Sequence, residues 1–313
     1  MDVMRHRTRL PRKLGERFAV RTAEAAGVRA GRYSSPDLHR PFHGVRSVDV
    51  PVTFADHVEC CALRLKPDQR FGGITDMRHW GLPTPKKWTP KESIVVIAPT
   101  GTTPPKTAGV EGRRLKWERA QTMILKGIPV VDPVAALFTS AGVLTVLDAV
   151  IVIDALVTTA MNYPNLGPGR PMSTLGEIER RLGDWRQFPG CKTIRAALSL
   201  ARERVESPKE TETRLLIVAC GLPEPVVQHD VYDESGKLVA RPDLAYPELK
   251  IAIEYDGDGH RLEKDEWRRD IQRHRALDAE GWITLHLTQA DLEPDAQRDT
   301  IEEIRRAIAP RTE

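Results

Sequence analysis

One stretch constrains this chain more than any other: Arg241–His260, reading Arg-Pro-Asp-Leu-Ala-Tyr-Pro-Glu-Leu-Lys-Ile-Ala-Ile-Glu-Tyr-Asp-Gly-Asp-Gly-His. At a period of two, Ala252, Glu254 and Asp256 fall on one face of a strand and Ile251, Ile253 and Tyr255 on the other. The apolar face packs. The acidic face needs solvent, a cation or a partner, because clustered carboxylates are costly to bury without compensation. Ten residues lie between Asp243 and Glu254, room for a short strand ending at Asp243, a Tyr-Pro-Glu turn and a return strand. That path brings the two carboxylates together, as a divalent-metal site requires.

The rest of the composition bears on what such a site would act upon. With 313 residues the chain has room for two or three domains, and 29% charged with 40% apolar residues is the balance of a soluble globular protein. Charge is unevenly spread. Residues 1–46 hold eleven Lys or Arg against four Asp or Glu, whereas residues 243–313 hold eleven against eighteen. A basic front end suits a polyanion and an acidic rear end suits a cation. Cys60, Cys61, Cys191 and Cys220 form no Cys-x-x-Cys pair and have no His at zinc-ligand spacing, so reduced thiols in a cytoplasmic protein are expected. The Arg-rich amino terminus lacks the apolar core of a signal peptide. The most apolar run, Val143–Val157, is too short and, with Asp148 and Asp154, too charged to span a membrane, and reads as a buried helix.

Taken in order, Thr22–Ala26 reads as a short helix, Gly27 as a turn and Arg29–Leu38 as a second helical piece. Val45, Val48, Val50 and Val52 then favour an extended ribbon. Helix, glycine turn, helix, ribbon is the order of a winged helix-turn-helix, with Arg29, Arg32 and Arg40 as candidate DNA contacts. Helical spacing returns over Phe54–Leu65 and again before Gly81, and Ile94–Ala98 reads as a buried strand. Thr100–Thr107 is not a phosphate loop, since Pro105 stands where the glycine before the lysine must be. Asp132-Pro133 caps a long apolar helix to about Met161. The Pro- and Gly-rich stretch 162–173 reads as a linker, followed by helices near 174–182 and 193–205. The expected division is 1–53 winged-helix-like, 54–161 an α/β middle region, 162–206 linker and connecting helices, and 207–313 the final domain.

In that last domain Ser207–Cys220 reads as a helix, with Ser207-x-x-Glu210 as a capping box. Strands follow over Val226–Val231, Lys237–Leu244 and Lys250–Tyr255, then a helix Glu263–Glu280, a strand Trp282–Leu287 and a helix Ala296–Ile308. Helix, three strands, helix, strand, helix is the order of a restriction-endonuclease-like α/β core. Glu210-Thr with Arg214, Gly221-Leu-Pro, Pro242-Asp-Leu, Glu254-Tyr-Asp-Gly with His260, Asp270 with Arg273, and Gly281-Trp282 together resemble the very-short-patch-repair-like branch of the PD-(D/E)XK nucleases, over roughly Ser207–Leu292. More loosely, Phe18–Pro83 is similar to the winged-helix front end of AbiEi-type antitoxins.

The resemblance implies a metal-dependent DNA endonuclease or nickase of phage defence or DNA repair. Asp243 and Glu254 would hold Mg²⁺ or Mn²⁺, with Glu210 joining through a water and His260 acting as general base or orienting the attacking water. Asp256 occupies the position where the general nuclease pattern has lysine, and His286 stands where relatives tend to carry Arg. Along 261–275, Arg261, Lys264, Arg268, Arg269 and Arg273 are candidate phosphate contacts, with ion pairing to Asp265, Glu266 and Asp270 as the competing use. The expected partner is DNA, with a homodimer or a toxin or repair partner left open. The alternative is a catalytically inactive DNA-binding regulator or antitoxin-like protein that uses the nuclease fold as scaffold.

Overall fold

Side-chain caps in the sequence set where several helices begin. Thr53 and Asp56 exchange hydrogen bonds in a full capping box, as do Thr145 and Asp148. Asp132 accepts from Ala135 N–H with Pro133 in the first turn, and Ser207 accepts from Glu210 N–H with Pro208 in the first turn. A computed structural model describes residues 9–165, 169–257 and 264–311, with the side chains of 264–271 outside the description. It is a mixed α/β protein, and among the described residues no helix is long and apolar enough to cross a membrane.

The chain divides into two compact units, 1–143 with 185–191, and 144–184 with 192–313. The first unit opens with β1 (Arg17–Ala19), α1 (Val20–Ala25), α2 (Ala30–Tyr33) and β2 (Val45–Ser47), where β1 and β2 pair antiparallel. Leu14, Phe18, Ala23 and Leu38 form its small core. The second helical piece expected over Arg29–Leu38 is a single turn, and Val48, Val50 and Val52 are exposed beyond the end of β2. Next come α3 (Phe54–Ala62), β3 (Arg70–Phe71), α4 (Gly73–His79), β4 (Ile94–Pro99), β5 (Lys106–Thr107), β6 (Val110–Leu115), β7 (Thr122–Leu125), β8 (Ile128–Val131) and α5 (Pro133–Ser140). The six strands form one sheet in the order β5-β6-β4-β3-β8-β7, with the all-apolar Ile94–Ala98 buried near its centre.

In the second unit lie α6 (Val146–Val157), most of α7 (Leu175–Trp185) and of α8 (Cys191–Leu200), α9 (Pro208–Ala219), β9 (Val226–Val227), β10 (Val231–Tyr232), β11 (Leu238–Ala240), β12 (Leu244–Tyr246), β13 (Ile251–Tyr255), α10 (Lys264–Ala279), β14 (Ile283–Leu287) and α11 (Gln297–Ile308). The single long helix expected from Asp132 is two helices: Ala141–Val143 tightens to a 3-10 turn and the Thr145/Asp148 capping box starts α6 afresh. The main sheet runs β14-β13-β12-β9, with β13 parallel to β14 and antiparallel to β12, so it is mixed and flanked by helices. The strands expected over 226–231 and 237–244 each split, and β10 with β11 forms a separate hairpin.

Candidate active site

β13 is two-faced as its alternation requires. Ile251 and Ile253 pack with Leu244, Ile217 of α9, and Ile301, Ile304 and Ile308 of α11. On the other face Ala252 is buried with Ala245, Val231, Ala240, Leu277 of α10 and Trp282. The antiparallel register Leu244↔Ile253 sets Asp243, one residue earlier, across from Glu254, and the parallel register sets His286 beside Glu254 on the opposite flank. The expectation of a strand ending at Asp243 is corrected here: β12 begins just after it. The turn between β12 and β13 is the 3-10 turn Pro247–Leu249, closed by Lys250 at φ 48°.

A cleft of about 1080 Å³ in the second unit is lined by Glu210, Asp243, Glu254 and Asp256 together. Glu254 is only 3% exposed, and its Oε2 lies 3.4 Å from a guanidinium nitrogen of Arg273. Arg273 sits one helical turn before the buried Leu277, so the face of α10 that packs on the sheet is the face that delivers it. This places Arg273 in the cleft beside a carboxylate rather than on an outer helix face. Asp243 accepts a hydrogen bond from Tyr255 N–H at 2.9 Å. Burial is the main cause that raises its carboxyl, opposed by that N–H and by the Arg273 charge.

Glu210 departs from the capping box. Its N–H donates to Ser207 Oγ at 3.2 Å, but its carboxylate accepts from Glu206 N–H at 3.0 Å and from Gln228 Nε2 at 3.0 Å. Burial and, after it, the Asp243 charge push Glu210 up to about 8. Behind it, the fully buried Asp154 of α6 accepts from Thr211 Oγ1 at 2.8 Å, from Arg214 at 3.3 Å and from Arg202 N–H at 2.7 Å. Glu210 is thus carried by a helix turn that is itself tied down on its buried side.

At the exposed end of the cleft Asp256 lies 3.3 Å from His286 Nδ1, and His286 stacks on His274 with ring centroids 4.5 Å apart. Lys209 and Arg275 add positive charge to the same cleft. His260 and Arg261 lie outside the described residues, as do the side chains of Lys264, Arg268 and Arg269. In the first unit Arg32 bonds Asp37 at 3.2 Å and Arg40 donates to the carbonyl of Ser34, so both carry local structure, while Arg29 is exposed just before α2. Sequence reasoning missed Gln228, Asp154 and His274; a polar residue at the heart of an apolar helix was the available signal for Asp154, and nothing marked Gln228.

Asp243, Glu254 and Glu210 offer hard carboxylate oxygens, and the cleft also holds the imidazoles of His274 and His286. Among the described residues no three His, Cys, Asp or Glu side chains gather closely enough to hold a metal unaided. Mg²⁺ commonly takes one or two carboxylates and completes its octahedron with waters and substrate phosphate oxygens, so the pair Asp243 and Glu254 fits that ion.

No protein-family profile and no solved structure matches the chain significantly. Over 122 residues, 39% of its length, it is 30% identical to the uncharacterized proteins MT2308 and Rv2248 from two strains of Mycobacterium tuberculosis, and it spans 45% of the length of each of these curated relatives.

Proposed function

We propose that the second unit is a divalent-cation-dependent DNA endonuclease or nickase with a restriction-endonuclease-like core. The observation that carries this reading is the meeting of Asp243, Glu254 and Glu210, from three separate elements, in one cleft that also holds Arg273. Protein chains seldom bury two carboxylates such as Glu210 and Glu254 in one cleft, with Asp243 half-buried beside them, unless a cation or a proton is part of the design. When bound, the cation supplies polarisation of the scissile phosphate and a bound water of lowered pKa.

The chain's own residues then have distinct tasks. Asp243, oriented by Tyr255 N–H, and Glu254, beside Arg273, hold the cation. Lys209 and Arg275 meet the phosphate backbone as it enters the cleft. Arg273 supplies the positive charge that lysine provides in the general nuclease pattern, where this chain has Asp256. His260 takes or orients the proton of the attacking water. The first unit, with its basic amino-terminal region, docks on the duplex.

The test is incubation of the purified protein with supercoiled plasmid and Mg²⁺ or Mn²⁺, beside Asp243→Ala and Glu254→Ala. Nicking by the parent that falls at least about 100-fold in both variants, with unchanged circular dichroism, supports the enzyme. No nicking by the parent, or equal nicking by the variants, sinks it; a gel shift without cleavage would favour the regulator instead.

A further inference from the structure

Gln228 is 3% exposed and directly follows the edge strand β9. Its backbone stands at φ 49°, a left-handed conformation unusual for a residue with a side chain, and its N–H donates to the carbonyl of Asp243 at 3.0 Å. From there its Nε2 reaches Glu210 Oε2 at 3.0 Å and Asp243 Oδ1 at 3.4 Å. One neutral amide therefore spans two carboxylates from separate parts of the chain, Glu210 buried and Asp243 half-buried. Glu210 is on α9 and Asp243 precedes β12, and no other described side chain donates to both.

The choice of an amide has a chemical reason. A primary amide carries two N–H donors and no charge, so it can steady two carboxylates at once. A lysine or arginine at the same point would neutralise them and compete with a cation for their oxygens. An apolar residue would take one donor from each acid, leaving Glu210 with the Glu206 N–H and Asp243 with the Tyr255 N–H.

We infer that Gln228 is a positioning residue of the carboxylate site, bridging Glu210 and Asp243 so that both are held at the cleft in the geometry a divalent cation needs. This rests on the cation-dependent reading above, and it adds a residue to which neither the motifs nor the charge pattern points. Partners that orient metal ligands are commonly worth a factor of ten or more in metal affinity.

The full chain is compared as parent, Gln228→Ala, Glu210→Gln and the double variant, with Gln228→Asn as a second probe that keeps an amide one methylene shorter. In EDTA, Gln228→Ala lowers the melting midpoint by roughly 5 °C, and in the Glu210→Gln background the same change lowers it by less than about half as much. Mn²⁺ binding, followed by the electron paramagnetic resonance signal of the free ion, weakens about tenfold or more in Gln228→Ala and less in Gln228→Asn. If the alanine variant does not fold, the asparagine variant carries the comparison, with a weakening of at least about threefold expected. A parent that binds no Mn²⁺ removes the cation reading, and the EDTA cycle then decides for or against the bridge alone. Additive losses in EDTA, or Mn²⁺ binding in the folded variants equal to the parent's, overturn the inference.

Discussion

Asp56 shows how one side chain converts local sequence into stability. Its Oδ2 accepts from Thr53 N–H at 2.9 Å and from Val52 N–H at 3.0 Å, and the Thr53 backbone bond leads the causes that hold its carboxyl at about 2. A carboxyl lowered in the fold stabilises the protein above its unfolded pKa, and that contribution is lost as pH falls through the folded value. Asp56→Ala should therefore cost about 1 kcal/mol at pH 7, and urea melts of parent and variant should converge as pH falls from 5 toward 2. The thiols give a second residue-scale prediction. Burial pushes Cys60 up to about 11 and Cys61 up to about 12, whereas Cys220 is exposed at the end of α9. Titration with a disulfide reagent should label Cys220 fast and Cys60 and Cys61 only on unfolding.

At the scale of elements, the anchor of α9 on α6 decides where Glu210 stands. Asp154 and Arg214 are both buried, Arg214 also bonds Glu224 at 2.8 Å, and removing Asp154 takes from the buried guanidinium its buried counter-charge and from Thr211 and Arg202 N–H their acceptor. Asp154→Ala should destabilise the protein by about 3–5 kcal/mol in urea unfolding, and Asp154→Asn, which keeps an acceptor, by less. The segment 185–191 is fixed to the first unit by packing of a different kind. Trp185 and Phe188 pack on Phe138, and Gly190, at φ 81°, brings its backbone so near that an added Cβ would collide with the carbonyl of Ala141. Gly190→Ala should cost about 3 kcal/mol or more, read as a lowered melting midpoint. Which of these elements the sequence foretold follows from their physics. Phe54–Ala62, Pro208–Ala219 and Ile251–Tyr255 have strong caps or clean alternation, and they form where expected. The strands from Lys106 to Leu125 carry mixed, half-exposed residues, and only pairing across the sheet makes them strands.

For the whole molecule, the division between the units falls at residue 143/144, inside the stretch that reads as one apolar helix. Helix α6 belongs with the carboxylate site because Asp154 bonds Thr211 and Arg214 there. A fragment of residues 144–313 should unfold cooperatively in urea, while residues 207–313 alone, deprived of α6, should show little cooperative unfolding by circular dichroism.

The sequence by itself determined the two-faced strand β13, the caps, and the candidate pair Asp243 and Glu254, because alternation, capping and charge are local properties of neighbouring residues. Tertiary structure alone decided that Asp243 lies across from Glu254, that Glu210 turns from its cap toward Gln228, and that Arg273 faces Glu254. Those relations depend on strand register, a left-handed residue at 228 and the packing face of α10. Each is set by which distant surfaces are buried together, and no short-range pattern in the chain encodes that.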